Sequence, residues 1–398
     1  MRVLHITTTD KGGAGLCCLR IHQSLLDRGI ESRVVTIHNT KHAPEEFELG
    51  YLKSLMVRTI AKGLRMLGLK ILDQNKILAL SKRYHAAYSL PVSSINLTKC
   101  QLVEWADIIH LHWVNNYLDY PSFFSKVKKP IVWTLHDENF FYGIAHYSET
   151  LLQNHPLEQK YARIKREAYY NINRMGVVLL SEYFLNKFSG HQLLRGREVR
   201  VINNPIDTEV YKPMDKTESR RKLGFSEDEI LIGFTSYNIF DKRKGLKVLS
   251  DAISEMEKAR KKRMTVLAIG GNPQNDILDN VVSLGLITDA IKMREVLSAC
   301  DFFAMPSYQE AFAQSPMEAM ACGLPVVAFP VSGTSELIND KNGVVCADFT
   351  CEALHRGIEI LMGREYSGSD IRKDMIDRFS PRVIAQKYVK LYEELAKE

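Results

Sequence analysis

The chain has 398 residues, of which 45% are hydrophobic and 25% are charged, and its formal net charge is +6. The composition is typical of a soluble globular protein, and the length predicts two domains of roughly 200 residues each. No apolar run approaches the roughly 18 residues of a membrane span, so we expect no membrane-spanning segment. The seven cysteines form no C-x-x-C pair, which favours reduced thiols in a cytoplasmic protein over disulfides or a zinc site.

The first elements along the chain are predicted to form a βαβ unit. A strand in "RVLHIT" leads into a glycine turn and a helix in "GGAGLCCLRIHQSLLDRG", and "SRVVTIH" is a second strand. The segment before the turn lacks the long apolar run of a signal peptide, so we expect the mature chain to start at Met1. The glycines do not follow G-x-G-x-x-G, and His38-Asn39 stand where NAD binding needs an acid, which argues against a dehydrogenase.

The positive charge is concentrated in one segment. Leu52 to Arg83 contains eight basic residues and one acid, so it carries the whole excess. Its apolar residues have helical spacing and three basic residues share another face, which predicts a basic amphipathic helix. A solvated face and contact with an anionic membrane surface stay equally open for this helix. Nucleic acid binding is not expected, because no aromatic residues are interleaved with the charges.

The first domain continues with alternating strands and helices. Strands are predicted in "ADIIHLHW", "PIVWTLHD" and "GVVLLS", with a charged helix around Tyr161 to Tyr170. His110 and His112 lie two residues apart, so they point to one face of a strand, as two zinc ligands would. No third ligand follows at a telling spacing, and core or pocket-lining histidines are therefore favoured over a metal site.

A proline-rich segment, "VINNPIDTEVYKP", is predicted to link two domains. The strand and helix pattern restarts after it with "ILIGFTSY", which predicts an α/β fold with parallel sheets in both halves. We expect a first domain at 1–204, a second at 205–379, and a closing helix at 380–398 that completes the first domain. Ser380 is the expected N-cap of that helix, and Pro381 its first residue.

The stretch "SYQEAFAQSPMEAMACGLPVVAF" contains two glutamates in an E-x7-E pattern. Ser315, Pro316 and Glu318 have the spacing of a capping box, so Glu318 has a structural role available. Glu310 lies beyond the carboxyl end of the predicted strand "DFFAMPS", where open α/β sheets bind ligands. The following helix would point its positive end into the same crevice, which suits a phosphate.

These residues resemble the E-x7-E signature of retaining glycosyltransferases of family 4. Further segments match in the family's order: "KGGAG", "VINNPIDTEVYKP", "FDKRKGLKVLSDAI" and "GLI" at Gly285. The resemblance implies the GT-B fold, with two facing Rossmann-like domains, parallel sheets and an interdomain cleft. It also implies a nucleotide-diphosphate sugar as donor, with Glu318 on the ribose, Glu310 on the donor sugar and Lys244 on the diphosphate.

Other site residues follow from the same resemblance. His136 is the pocket histidine near the reacting sugar, Asp137 is expected to orient it, and Gly13 and Gly15 would lie against donor phosphates or the acceptor. Many family members have an arginine where this chain has Asn238, and we expect Arg243 to supply that charge. The expected catalytic residues are Glu310, His136 and Lys244; the donor-binding residues are Arg243, Lys244, Glu310, Ala313, Gln314, Ser315, Glu318, Gly13, Gly15 and Ile287; the acceptor-side residues are His112 and Asp137.

The function expected from the sequence is transfer of a sugar, with retention, to a hydroxyl of a glycan or lipid-linked acceptor in surface polysaccharide biosynthesis. No D-x-D motif occurs in the chain, so we expect no metal and no cofactor besides the donor substrate. The protein is expected to be cytoplasmic or peripheral on the inner face of a membrane. Two alternatives stay open: a GT-B nucleotide-sugar epimerase and a catalytically silent sugar-nucleotide-binding protein.

Overall fold

The structure is a computed structural model that describes residues 1–37, 73–271 and 278–397. The chain divides into two compact units. The first comprises Met1–Leu180, Leu185–Ile202 and Ala385–Glu398, and the second comprises Ser181–Phe184 and Asn203–Ile384. The boundary expected at residue 204 lies two residues beyond this division, and four residues from the first half of the chain pack with the second unit.

The first unit contains a parallel sheet of six strands in the order β2-β1-β3-β4-β5-β6. The strands are β1 Arg2–Ile6, β2 Glu31–Val35, β3 Ile108–Leu111, β4 Ile131–Leu135, β5 Met175–Leu179 and β6 Glu198–Val201. The central strands β3, β4 and β5 are buried along their whole length, as expected for a parallel sheet covered on both faces.

The helices that follow these strands belong to the same layered pattern. They are α1 Gly12–Leu26, α2 Asp73–Tyr84, α3 Gln101–Trp105, α4 Tyr120–Lys126, α5 Pro156–Tyr169 and α6 Glu182–Phe188. Helix α2 packs through Ile77 and Leu80 against a cluster that includes Tyr161 of α5. Its Asp73 accepts hydrogen bonds from Lys160 (2.6 Å) and from the Tyr161 hydroxyl (2.9 Å).

The second unit contains another parallel sheet of six strands, in the order β12-β11-β10-β7-β8-β9. The strands are β7 Ile230–Asn238, β8 Met264–Gly271, β9 Val281–Gly285, β10 Phe302–Met305, β11 Val326–Ala328 and β12 Gly343–Val345. The helices are α7 Lys216–Leu223, α8 Leu246–Arg260, α9 Ala290–Ala299, α10 Gln314–Ala321, α11 Cys351–Met362 and α12 Gly368–Phe379.

The closing helix, α13 Pro381–Lys397, begins at the proline that the sequence predicted. Two of its tyrosines are fully buried among polar side chains of the first sheet. The Tyr388 hydroxyl is hydrogen-bonded to Thr134 at 2.9 Å, and the Tyr392 hydroxyl to Nδ1 of His110 at 2.7 Å. Most of the helix therefore belongs to the first unit, although the chain reaches it only after the second.

The α/β class and the parallel sheets predicted from the sequence are confirmed. The proposed basic helix, with Arg58, Lys62 and Arg65, lies outside the described residues; of the segment from Leu52 to Arg83, the structure describes only 73–83, within α2. Within residues 1–37, 73–271 and 278–397, no helix is both long and apolar enough to cross a membrane. All seven cysteines are free thiols.

Candidate active site

The strand order of the second sheet reverses between β7 and β10. In open α/β sheets, ligands bind outside the carboxyl ends of the strands at such a reversal. The loop after β7 carries Lys244 and the loop after β10 carries Glu310, and the Lys244 ammonium forms an ion pair with the Glu310 carboxylate. The side chains are 26% and 15% exposed. The fold therefore joins two of the predicted catalytic residues, 66 positions apart, at a ligand-binding edge.

Local backbone geometry places Lys244 at this edge. The turn Lys242–Lys244 is capped by Asp241, whose carboxylate accepts from the Arg243 amide at 3.0 Å. The next residue, Gly245, has φ +76° and is the N-cap of α8. A Cβ at Gly245 would overlap the carbonyl oxygen of Pro306, so only glycine allows the loop to approach the end of β10 so closely.

Arg243 supplies a second positive charge in the same loop. Its guanidinium is half exposed and donates to both Asp241 oxygens, at 3.2 and 2.7 Å. Burial raises the pKa of Asp241, but its hydrogen bonds from Arg243 outweigh this effect and lower the pKa overall. Arg243 therefore lies in the same loop as Lys244 but is paired with Asp241, and its contact with a diphosphate stays a prediction.

The predicted capping box around Glu318 is wrong. Helix α10 begins at Gln314, its N-cap is Ala313, and no side chain caps it. The Thr334 hydroxyl accepts from the Ala313 amide at 3.1 Å, which holds the chain in position for a helix that starts earlier. Pro316 is the third helical residue, where an amide would have no intrahelical partner anyway. Glu318 lies beyond the first turn and is 8% exposed, so capping does not explain this acid.

The glycines of "KGGAG" lie at the start of α1 rather than in a turn before it. The helix begins at Gly12, which has φ +71°. A Cβ at Gly15 would lie 2.5 Å from the carbonyl oxygen of Thr9. Gly15 is therefore required for the tight passage from β1 into α1, and Gly13 lies in the same first turn. This helix start follows β1, next to the point where the first strand order reverses between β1 and β3.

Three histidines of the first unit form a hydrogen-bonded chain. His136, which follows β4, is half-buried, and its Nε2 lies 3.2 Å from Nδ1 of His112. The Nε2 atom of His112 lies 3.0 Å from Nδ1 of His5. Burial lowers the pKa of His136 to about 4 and those of His112 and His5 well below their usual value. All three rings are therefore neutral at neutral pH.

The structure does not support the roles predicted for two residues next to these histidines, Asp137 and His112. Asp137 does not orient His136 through a hydrogen bond in the described contacts, because its carboxylate accepts from His146 (2.6 Å), Trp113 (2.9 Å) and the Asn139 amide (2.9 Å). Burial raises the pKa of Asp137, but the charge and hydrogen bond of His146 lower it overall. His112 is 2% exposed, so direct contact with an acceptor is not favoured, and its Nδ1 lies against His136 instead.

His5 lies next to His110 and His112, where a third metal ligand would be, and the sequence spacing did not predict it. Ligand atoms of His5, His110 and His112 lie within 4.8 Å of one another, close enough to share a metal ion. However, both nitrogens of His110 are hydrogen-bonded, to Thr134 (2.8 Å) and Tyr392. Both nitrogens of His112 are bonded too. Hydrogen bonds therefore occupy both nitrogens of His110 and of His112, whereas Nε2 of His5 has no partner among the described residues. A site without metal stays a prediction.

The remaining donor-side residue, Ile287, is half-buried in the loop after β9, two residues beyond Gly285, which has φ +70°. A cavity of about 530 Å³ lies at the opposite edge of the second sheet, where its strands begin. It is lined by Ile230, Asp301 and Phe302 among others. Because open sheets bind ligands at the carboxyl ends of their strands, this cavity is not the donor site.

Sequence reasoning missed three residues that support the site: His5, Asp241 and Thr334. The position of His5 within a predicted strand was readable, but its contact with His112 requires β1 and β3 to be neighbours. Asp241 had a local signal, because an aspartate in a turn commonly accepts a hydrogen bond from the backbone amide two residues further along the chain. Thr334 had none, since it meets Ala313 only through the folded chain.

The fold and the E-x7-E site define a glycosyltransferase of the GT-B class. A solved structure with this fold, Anabaena Alr3699/HepE in complex with UDP-glucose, has a TM-score of 0.66 and 19% identity, covering 99% of this chain and 100% of that chain. Residues 11–210, half of the chain, match the family described as Glycosyltransferase Family 4, and residues 229–364 match Glycosyl transferases group 1. The chain therefore belongs to glycosyltransferase family 4, as the sequence motifs predicted.

Curated relatives carry the same class of activity. The D-inositol 3-phosphate glycosyltransferase of Kribbella flavida is 24% identical over 356 residues, 84% of this chain and 78% of that protein. The enzyme of the same name from Stackebrandtia nassauensis is 32% identical over 162 residues, 36% of each chain. The protein is a glycosyltransferase that uses a nucleotide-sugar donor, and the epimerase and silent-binding alternatives are not favoured.

Proposed function

We propose that this protein transfers a sugar, with retention of anomeric configuration, from a nucleoside-diphosphate sugar to a hydroxyl of a glycan or lipid-linked acceptor. The observation that carries the proposal is the ion pair between Lys244 and Glu310 at the strand reversal of the second sheet. A lysine and a carboxylate at this edge offer one group for the diphosphate and one for sugar hydroxyls.

When the donor binds, Lys244 and Glu310 exchange their contact with each other for contacts with the donor. The diphosphate attracts the Lys244 ammonium and the amino terminus of α8, which begins after Gly245. Glu310 is then released to accept hydrogen bonds from the donor sugar. As the glycosidic bond breaks, negative charge grows on the departing diphosphate, and the cation and helix terminus stabilise that charge. Arg243 contributes to this stabilisation once the diphosphate competes with Asp241.

The other proposed contacts surround this pair. Glu318 binds the ribose, because it is a buried acid on α10 that no helix cap occupies. Ala313, Gln314 and Ser315 present the start of α10 to the donor, and Ile287 lies in the loop that contacts the base. In the first unit, His136 is the residue that we propose to contact the reacting sugar, and Gly13 and Gly15 are proposed to contact donor or acceptor.

Metal independence, the pathway and the location are also proposals. With Lys244, Arg243 and two helix termini available for the diphosphate, no metal ion is needed, and we expect transfer to survive EDTA. Surface polysaccharide assembly at the cytoplasmic face of a membrane fits a lipid-linked acceptor and the basic segment Leu52 to Arg83. The name of the curated relatives makes an inositol phosphate a second acceptor to include in assays.

The proposal is tested first by donor binding. UDP, GDP and ADP are compared by thermal shift, with UDP placed first because the solved Anabaena protein holds UDP-glucose. A nucleotide at 100 times its dissociation constant stabilises the folded protein by about 2.7 kcal/mol. Failure of all three nucleotides to raise the unfolding midpoint would contradict the proposed donor class.

Transfer is then compared between wild type and Glu310→Gln with the donor sugar of the nucleotide that binds. We expect the rate of transfer to fall on the order of 100-fold or more, since the variant loses a charge that acts on the reacting sugar. Binding of the free nucleotide should be retained or strengthened, because the internal partner of Lys244 loses its negative charge. Equal loss of nucleotide binding and transfer would indicate a structural role for Glu310.

A further inference from the structure

The histidine chain of the first unit leads from the protein interior to His136. His5 is fully buried in β1, His112 is buried after β3, and His136 is half-buried after β4. The two hydrogen bonds, of 3.0 and 3.2 Å, join three side chains from three neighbouring strands. Burial lowers the pKa of each ring, so all three imidazoles are uncharged at neutral pH.

The number of ring protons leaves two arrangements for this chain. A neutral imidazole carries one N–H donor and one bare nitrogen acceptor. Two of the three protons fill the two hydrogen bonds, so the third lies at one end of the chain. It is either on Nδ1 of His136, at the outer end, or on Nε2 of His5, at the inner end. The tautomers of the three rings are thus linked, since each nitrogen's role determines that of the other nitrogen on its ring.

The inner end decides between the two arrangements. Among the described residues, the buried Nε2 atom of His5 has no hydrogen-bond partner. A proton there would leave an N–H group buried without an acceptor, which is rare in folded proteins and costs a full desolvation penalty. A bare nitrogen there is an unpaired acceptor, but a buried acceptor without a partner is less rare than a buried N–H group without one. The third proton therefore lies on Nδ1 of His136.

We infer that His5 and His112 are positioning residues that hold His136 in the Nδ1–H tautomer, so that His136 meets its ligand as a hydrogen-bond donor. His5 donates from Nδ1 to Nε2 of His112, and His112 donates from Nδ1 to Nε2 of His136. The Nδ1–H group of His136 then suits an oxygen that only accepts, such as a phosphate oxygen or the ring oxygen of a sugar. This inference rests on the proposed function for the role of His136 but not for its tautomer.

The tautomer can be measured directly. In protein labelled with 15N at the histidine rings, protonated and bare nitrogens have well-separated chemical shifts, and the signals of His136 are assigned by their loss in His136→Gln. We expect Nδ1 of His136 to be protonated and Nε2 to be bare at pH 7.5. The opposite pattern in wild type overturns the inference, whether or not the protein transfers any sugar.

Two substitutions at His112 test the positioning role. His112→Phe keeps a planar ring but cannot donate, so the His136 tautomer is no longer held, and we expect the rate of transfer to fall roughly tenfold, the loss of about one hydrogen bond. His112→Asn places an amide N–H where Nδ1 lies and should recover most of the rate. Affinity for the free nucleotide should stay at the wild-type value in both variants, because the second unit binds it.

A matched control is His22→Phe. His22 is half-buried, and its ring centroid lies 6.1 Å from that of His5. It is hydrogen-bonded to Ser32 and not to any of the three histidines of the hydrogen-bonded chain. We expect this variant to keep the wild-type rate and the His136 tautomer. Equal rates in His112→Phe and wild type would overturn the inference, as would one equivalent of tightly bound transition metal in the purified protein, since His5 and His112 would then be its ligands. A wild type that transfers nothing, with the expected tautomer, contradicts the proposed function alone.

Discussion

Single side chains at the strand reversal of the second sheet set the charge that a donor meets. Lys244 is paired with Glu310 and Arg243 with Asp241, so four charged groups are balanced before any ligand arrives. A diphosphate must compete with these acids, and its two phosphates gain charge-assisted hydrogen bonds in exchange. The strength of donor binding is therefore expected to depend on Lys244 more than on Arg243, because the diphosphate must compete with two hydrogen bonds from Arg243 to Asp241.

Lys244→Ala should weaken binding of the nucleoside diphosphate roughly 10- to 100-fold, the value of a hydrogen bond to a charged group, and leave nucleoside affinity almost unchanged. Arg243→Ala should have the same selectivity and a smaller effect. Both affinities are measured by isothermal titration calorimetry. Lys247→Ala is the control, because Lys247 lies on α8 but pairs with Asp251. Parallel losses of nucleoside and diphosphate affinity would show that Lys244 shapes the fold or the base pocket instead.

The buried histidines predict how stability depends on pH. Burial lowers the pKa of His5, His110 and His112 well below 6.5, and that of His136 to about 4. Unfolding returns each pKa to about 6.5. As pH falls below about 6.5, the unfolded chain binds protons that the folded protein does not, so the stability present above pH 6.5 is progressively lost.

Each such histidine contributes a slope of up to about 1.4 kcal/mol per pH unit between the two pKa values. We therefore expect the thermal unfolding midpoint to be clearly lower at pH 5.5 than at pH 7.5. The exposed His85 provides a control, since His85→Gln should leave this pH dependence unchanged. An equal midpoint at both pH values would show that the four histidines are not kept neutral by burial.

Among the elements, the start of α8 connects backbone geometry with donor binding. The turn Lys242–Lys244, Gly245 and α8 follow one another, and Gly245 lies against Pro306 at the end of β10. A side chain at position 245 would have to push this turn away from β10. The movement would carry Lys244 away from Glu310. Both the stability of the protein and donor binding are therefore expected to depend on Gly245.

Gly245→Ala should destabilise the protein by more than the ~1–2 kcal/mol that a left-handed conformation costs a residue other than glycine. Gly224→Ala isolates that cost, because Gly224 has φ +80° and a Cβ added there would meet no atom within 4 Å. Only Gly245→Ala should also weaken nucleoside diphosphate binding. The two variants are compared by thermal unfolding and calorimetry, and equal effects on both properties would mean that the contact with Pro306 relaxes without cost.

Across the chain, the positive charge is concentrated between Leu52 and Arg83, in the first half. If this segment docks on an anionic membrane, replacing Arg58, Lys62 and Arg65 with glutamine should reduce binding to phosphatidylserine-containing vesicles, by about 1 kcal/mol per charge. Binding of the wild type should fall as salt rises. Transfer to a short water-soluble acceptor should be unaffected, because the proposed site residues are untouched.

Replacement of three exposed basic residues of the second unit, Lys258, Lys261 and Lys262, with glutamine removes the same charge from another place. Vesicle binding should be nearly unchanged in this control variant. A wild-type protein that ignores anionic vesicles even at low salt would leave the basic segment as a solvated face, and the acceptor would not need to be lipid-linked.

Local patterns in the sequence determined the elements and the class of chemistry. Hydrophobic periodicity and turn residues are properties of neighbouring positions, so they predicted the strands and the start of α13 at Pro381. They also located Glu310 beyond a strand, because the motif and the strand are adjacent in the chain. The family motifs extended this to a nucleotide-sugar glycosyltransferase.

Contacts between distant segments depend on strand order, which local patterns do not encode. Lys244 meets Glu310 because β7 and β10 are neighbours, and His5 meets His112 because β1 and β3 are neighbours. The start of α10 shows the same limit within one motif. Ser315 and Glu318 had the spacing of a capping box, but the Thr334 hydroxyl holds Ala313, and the helix begins at Gln314. Packing between distant segments thus decided the roles of individual side chains, because the hydrogen bond that the Ala313 amide donates to the remote Thr334 hydroxyl outweighed the local preference.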